Sequence, residues 1–162
     1  MHAEWIDVST GFIERLIQNI SNGIFCVGTT SVRTVESLYW MGVKAMLHSN
    51  ATNEALETKQ WEVYEPDFMN NPLSPEDALK SLLTFLRQRK TERLFTKTQI
   101  IIAPGYQFKI VKGMITNFHQ PKSTLLLLVA AMAGKRWKAI YEYALKNNFR
   151  FLSYGDGCLI YG

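Results

Sequence analysis

Cysteine, histidine and long apolar runs are all scarce in this sequence. Cys26 and Cys158 are the two cysteines among 162 residues, each inside an apolar stretch (IFCVG and GCLIYG), and no CxxC spacing occurs. A disulfide scaffold therefore does not organise the chain, and both thiols are expected to be buried and reduced. His2, His48 and His119 are scattered, so no metal is expected. The longest apolar run, Leu125–Ala133, falls far short of the ~20 residues that a membrane span needs. The opening MHAEWIDVS lacks the basic-then-apolar order of a secretion signal. A cytoplasmic protein with no membrane partner is the expectation. Repeats and low-complexity tracts are also missing.

What is present is an uneven distribution of charge. Residues 1–50 are nearly balanced, with three bases and four acids, whereas residues 51–79 hold one base, Lys59, and seven acids. Residues 80–162 hold fourteen bases and three acids, so that half carries +11 of a net +4. A basic half of this kind attracts a polyanion by counterion release, or it is simply a solvated face.

Periodicity organises the rest. Ala3–Val8 alternates as a strand; Ser9 or Thr10 then caps a helix with Phe12, Leu16, Ile17 and Ile20 on one side, stopped by Asn22-Gly23. Ile24–Val27 reads as a short strand apolar enough for burial on both faces. Gly28-Thr29-Thr30-Ser31 turns it into a helix from Val32 to Met41, ended by Gly42. Residues 50–75 read as an acidic excursion, punctuated by Pro66, Asn70-Asn71 and Pro72, with a short strand at Trp61–Tyr64. Ser74-Pro75-Glu76-Asp77 opens a helix to about Lys90, since a hydroxyl cap, an early proline and acids all suit a helix start. Thr98–Ala103 reads as a strand, and Lys112-Gly113 as the turn of a hairpin between Phe108–Val111 and Met114–His119. A Leu-rich helix capped by Ser123 or Thr124 ends at Gly134, another spans Lys135–Asn147, and a last apolar strand closes the chain. The alternation predicts an α/β fold, a mixed sheet flanked by helices, within one domain of residues 1–162 whose acidic excursion and helix occupy about 50–91.

Three polar constellations fall at element junctions. Gly28-Thr29-Thr30-Ser31-Val32-Arg33 stands at the carboxyl end of a strand, where open α/β sheets bind ligands, and its amides and hydroxyls suit a carboxylate, phosphate or ribose. Plain helix capping explains the same residues. In Ile115–Ala131, Asn117 and His119 share a strand face, and Lys122, Ser123 and Thr124 stand at a helix mouth. There His119 is either a hydrogen-bonded structural residue or a proton carrier. In Ser153-Tyr154-Gly155-Asp156-Gly157, the aspartate is a turn former or a carboxylate near a ligand, and Tyr154 bridges core and surface or stacks on a base.

In order along the chain, Met1-His2-Ala3-Glu4-Trp5, Val27–Thr34, Pro104–Lys109, Ile115–His119 with Pro121–Leu125, and Phe151–Asp156 resemble the S-adenosylmethionine:tRNA ribosyltransferase-isomerases of queuosine biosynthesis. The match is weakest over about residues 43–97. The resemblance implies an enzyme that transfers and isomerises the ribosyl part of S-adenosylmethionine onto 7-aminomethyl-7-deazaguanine at the anticodon wobble position of tRNA. Epoxyqueuosine forms, and adenine and methionine leave. It implies S-adenosylmethionine as ribosyl donor, no metal, and a monomer for the intact enzyme. On the matched motifs, His119 and Asp156 are the expected acid–base or sulfonium-stabilising groups. Thr29, Thr30, Ser31 and Arg33 are expected to hold donor or tRNA phosphate, and Lys122, Ser123 and Thr124 to form a companion anion site. Tyr106, Asn117, Tyr154 and Gly155 complete the expected substrate-binding set.

One departure stands out against the family's pattern. The chain begins where the family is about halfway through, without the earlier part of the catalytic domain and a small β-barrel. A partial catalytic domain is therefore expected, a fragment inactive alone. Gln120 and Gly157 replace a usual leucine and alanine without removing a polar group. Two other readings stay open: a non-catalytic tRNA-binding module, and a generic nucleotide-binding α/β domain that uses the Gly28–Ser31 turn.

Overall fold

A computed structural model describes residues 2–48, 52, 54–70 and 73–162. Met1 of the opening motif, and Asn71 and Pro72 of the excursion, lie outside the described residues. Strand β1 (Glu4–Ser9) leads into helix α1 (Thr10–Asn19), with Ser9 Oγ accepting from the Phe12 amide at 3.2 Å. Strand β2 (Ile24–Val27) feeds the long helix α2 (Thr29–Leu47). A short helix α3 (Pro66–Met69) and helix α4 (Pro75–Gln88), capped by Ser74, precede strand β3 (Arg93–Thr98). Strand β4 (Val111–Asn117), helices α5 (Thr124–Ala133) and α6 (Trp137–Lys146), and strand β5 (Gly157–Tyr161) complete the chain.

The strands form two sheets. β1 and β3 pair antiparallel as a ribbon, while β4 stands between parallel β2 and antiparallel β5 in a mixed sheet. Helix α2 is the centre of the molecule and is buried on nearly all sides, with Leu38, Met41 and Val43 fully enclosed. It packs on α4, β4, β2 and β3.

Buried polar residues recur along α2 at helical spacing, and each meets a partner outside the helix. Arg33 Nε donates to the Ile100 carbonyl at 3.0 Å, and its guanidinium pairs with Glu4. The Ser37 and Thr98 hydroxyls lie 2.6 Å apart, and Lys44 Nζ donates to Glu62 and to the Glu57 carbonyl. The carboxylate of Glu36 accepts four hydrogen bonds of 2.7–2.9 Å, from the Tyr106 hydroxyl and the amides of Lys109, Ile110 and Val111. Trp40 Nε1 in turn donates to the Tyr106 hydroxyl at 2.8 Å. Buried backbone outside a ladder must find such partners, and α2 supplies them.

Several local expectations are corrected by this packing. Gly42 does not end α2; it sits at the crossing with α4, where a Cβ would lie 2.0 Å from the Ala78 carbonyl oxygen. Lys112-Gly113 is no hairpin turn but the middle of β4, and the glycine admits the Phe25 ring, 2.5 Å from where a Cβ would be. The strand expected at Thr98–Ala103 comes earlier, as β3; residues 99–103 run buried outside any sheet, tied by Gln99 N to Thr58 O and Ile101 N to Gln60 O. Trp61–Tyr64 contains a 3-10 turn, Glu62–Tyr64, rather than a strand, and the Tyr64 hydroxyl bridges the Ile101 carbonyl and the Ala103 amide. β2 is not buried on both faces, since Phe25 and Val27 are exposed. Cys26 is buried as expected, and burial raises its thiol pKa to about 12; Cys158 is half-buried.

Two substitutions test this core. Glu36→Ala leaves three amides and a phenol without an acceptor, and the expected loss is on the order of 3–5 kcal/mol in urea unfolding. Gly42→Ala is expected to destabilise by at least ~1–3 kcal/mol, because the helix crossing must open to admit one methyl.

Candidate functional site

The carboxyl ends of β2 and β4 bring two of the three polar constellations together, and the third joins them through a loop. Gly28, at a positive φ of 87°, follows β2 and donates its amide to the Ile115 carbonyl of β4 at 2.8 Å. It also serves as the N-cap of α2, with no side-chain cap. Thr30 and Ser31 therefore do not cap the helix; both are exposed beside its first turn, where amides lack intrahelical acceptors. They line a cleft of about 400 Å³ with Ser9, Thr34, Arg15 and the ion pair of Arg93 with Asp7. Thr29 is buried at the start of the same turn.

At the end of β4, Asn117 Nδ2 donates to the Gly155 carbonyl at 3.1 Å, which ties the strand to the loop before β5. Gly155 is required there, since a Cβ would lie 2.3 Å from the Arg150 carbonyl oxygen. Asp156 accepts from the Arg150 amide at 2.7 Å and from its guanidinium at 3.3 Å. Those bonds hold its carboxyl below the usual range, so it is an anion at neutral pH. Tyr154 projects from this loop 97% exposed.

His119 is half-buried between these elements. Its Nε2 lies 2.9 Å from the Thr116 hydroxyl, and its amide donates to the Tyr141 hydroxyl at 3.0 Å. The adjoining Phe118 is held in an aromatic cluster with Tyr141, Phe149 and Phe151 at centroid distances of 5.4–5.6 Å. Burial lowers the imidazole pKa from its ordinary 6.5, so the ring is neutral at neutral pH. A neutral, oriented imidazole can accept a proton.

Other expected site residues stand elsewhere. Ser123 Oγ caps α5, accepting from the Leu125 and Leu126 amides. Lys122 takes a positive φ of 64°, and with Thr124, Pro104, Leu127 and Trp137 it lines a separate cleft of about 270 Å³. That cleft shares no lining residue with the one at Thr30 and Ser31. Arg33, 1% exposed, and Tyr106, whose phenol serves Glu36, are internal struts that do not face either cleft.

Four residues that shape the site were not singled out from the sequence. Thr116 stands three residues before His119, a spacing that could have signalled it, and Arg150 stands six before Asp156. Tyr141 reaches His119, and Arg15 the cleft at Thr30 and Ser31, from helices distant in sequence, and no local pattern marks them.

Comparison with known proteins gives a consistent result. A family model described as queuosine biosynthesis protein matches residues 1–160. An S-adenosylmethionine:tRNA ribosyltransferase-isomerase of Prochlorococcus marinus (strain NATL2A) is 33% identical over 99% of this chain and 32% of its own. One from Burkholderia lata is 32% identical, over 99% of this chain and 34% of its own. The chain thus spans about a third of the length of these relatives. Among solved structures, S-adenosylmethionine tRNA ribosyltransferase from Thermotoga maritima superposes with a TM-score of 0.59 at 28% identity, covering 96% of this chain and 39% of that one.

The histidine provides a test of the site's electrostatics. Between its lowered folded pKa and 6.5 the unfolded chain binds more protons than the folded one, so His119 makes stability rise with pH across that window. NMR titration should place its midpoint below 6.5, and His119→Gln should remove that part of the pH dependence of unfolding.

Proposed function

The chain belongs to the queuosine biosynthesis protein family, and from that premise we propose that it forms part of an S-adenosylmethionine:tRNA ribosyltransferase-isomerase. In this reading the ribosyl part of S-adenosylmethionine is transferred to the aminomethyl group of 7-aminomethyl-7-deazaguanine at the tRNA wobble position. It is isomerised to give epoxyqueuosine, with loss of adenine and methionine. The observation that supports the reading best is the convergence of Gly28, Asn117, His119 and the Gly155–Asp156 loop at the carboxyl ends of adjacent strands.

The chemistry divides among these groups by their charge states. A proton must leave the carbon beside the sulfonium, and the neutral His119 is the base. In the tautomer whose Nε2–H donates to the Thr116 hydroxyl, 2.9 Å away, Nδ1 carries the lone pair that takes the proton. Asp156, held ionised by Arg150, is unsuited to act as an acid and instead places negative charge near the sulfonium. Thr30 and Ser31, with Arg15 beside them, bind an anionic group, either the methionyl carboxylate or a tRNA phosphate. Tyr154 offers a ring for base stacking, and Lys122 with Thr124 contacts the tRNA backbone. Arg33 and Tyr106 drop out of the binding set because both are buried, with the Arg33 Nε and the Tyr106 hydroxyl bonded inside the fold.

The test uses the protein purified as its own gene expresses it, incubated with S-adenosylmethionine and tRNA bearing the deazaguanine precursor. Mass spectrometry is expected to show epoxyqueuosine, and His119→Gln to lower the rate by about 10²–10⁴-fold with tRNA affinity unchanged. Salt-dependent tRNA binding with no product and no calorimetric response to S-adenosylmethionine would instead identify a non-catalytic tRNA-binding module.

A further inference from the structure

The cleft of about 270 Å³ at the start of α5 has apolar walls and a cationic rim. Pro104, Leu126, Leu127, Ala130 and Trp137 form the walls, and Lys122 and Thr124 are its polar members. Leu127 is exposed there, while Leu128 and Val129 beside it are buried in the core. Lys138 Nζ lies 5.9 Å from the centroid of the Trp137 ring, within cation–π reach, so a second ammonium stands over the indole. The surroundings carry one sign of charge. Residues 122–150 hold six bases and one acid, Glu142. Among the described residues, Arg150 alone of those six has an ion-pair partner, Asp156, and the other ion pairs all lie within residues 4–93. The bases around the cleft are therefore not neutralised within the fold.

We propose that this cleft binds one unpaired nucleotide of RNA, its base against Trp137 and the leucine wall and its phosphates on Lys122 and Lys138. An aromatic ring for the base with cations for the backbone is how proteins hold single strands without reading their sequence. A duplex keeps its bases stacked inside and offers such a cleft only phosphates. S-adenosylmethionine suits it poorly, since the sulfonium and ammonium cations of that molecule would meet the lysines and it has no phosphate to pair with them. The place of the cleft in the fold says which nucleotide it holds. The Trp137 ring lies 6.2 Å from that of Tyr141, whose hydroxyl accepts from the His119 amide. The cleft thus stands one aromatic ring away from His119, and its occupant is a neighbour of the nucleotide being modified. Holding that neighbour fixes the register of the strand at His119. The inference rests on the reading above only in taking the RNA to be the tRNA substrate.

The experiment measures binding of the full chain to a fluorescently labelled, unpaired RNA of about ten nucleotides, and to the same RNA annealed to its complement. The unpaired form is expected to bind more tightly by about tenfold or more. Leu127→Glu, at an exposed position, is expected to weaken binding of the unpaired RNA by about 5- to 100-fold. It should change duplex binding by no more than about twofold at moderate salt. Trp137→Ala is expected to act likewise, and Trp137→Phe, which keeps a ring and the packing on Tyr141, to restore the affinity. Lys122→Gln and Lys138→Gln should each flatten the slope of log K against log salt by about 0.7. No binding of the unpaired RNA, equal binding of the two forms, or a Leu127→Glu protein that binds like the parent would overturn the proposal. So would loss of the calorimetric response to S-adenosylmethionine in Leu127→Glu with RNA binding intact, which would give the cleft to the ribosyl donor. None of these measurements reads epoxyqueuosine. Product formed with the cleft variants binding normally fails the inference alone, and cleft-dependent RNA binding without product fails the reaction alone.

Discussion

The carboxylate of Glu36 is the interaction on which the rest of the structure depends. It is buried on the central helix and accepts from one phenol and three consecutive backbone amides, fixing the segment from Tyr106 to Val111 against α2. Burial works to raise its pKa and the four donors work to lower it. Val111 is both the last of those amides and the first residue of β4, so the clamp sets where the middle strand of the mixed sheet begins. The positions of Asn117 and His119 follow from that register.

The polar stripe of α2 extends the same logic along the helix. Arg33, Glu36, Ser37, Trp40 and Lys44 recur at three- and four-residue spacing and each engages backbone or side chains of the surrounding non-helical segments. Residues 99–103 can therefore be buried without joining a sheet, since their amides and carbonyls meet Thr58, Gln60, Tyr64 and Arg33 instead. Stability at the core and geometry at the site are thus linked through one helix, which begins at the site's own Gly28 turn.

Local chemistry was legible where neighbours in sequence decide it. The Ser9 and Ser74 caps, the amphipathic faces of α1 and α4, and the strand at Glu4–Ser9 all follow from patterns that need no distant partner. Glycine misled twice, at Gly42 and Gly113, because a turn and a close approach call for the same missing side chain. At both positions the deciding atoms, the Ala78 carbonyl and the Phe25 ring, are far away in sequence. Arg33 shows the same limit for charge: a guanidinium beside a glycine turn reads as an anion ligand, yet Glu4 and Ile100 claim it in the interior.

By itself the sequence determined the α/β alternation, the family, and the identity of the polar residues at the strand ends, because these rest on local periodicity and on ordered motifs. Only the tertiary structure decided which of those residues stand together. It joined Asn117 to Gly155, oriented His119 by Thr116 and Tyr141, separated the Lys122 cleft from that of Thr30, and withdrew Arg33 and Tyr106 into the core. The reason is physical: a buried donor or acceptor must be satisfied wherever the fold supplies a partner, and that partner is chosen in space rather than along the chain.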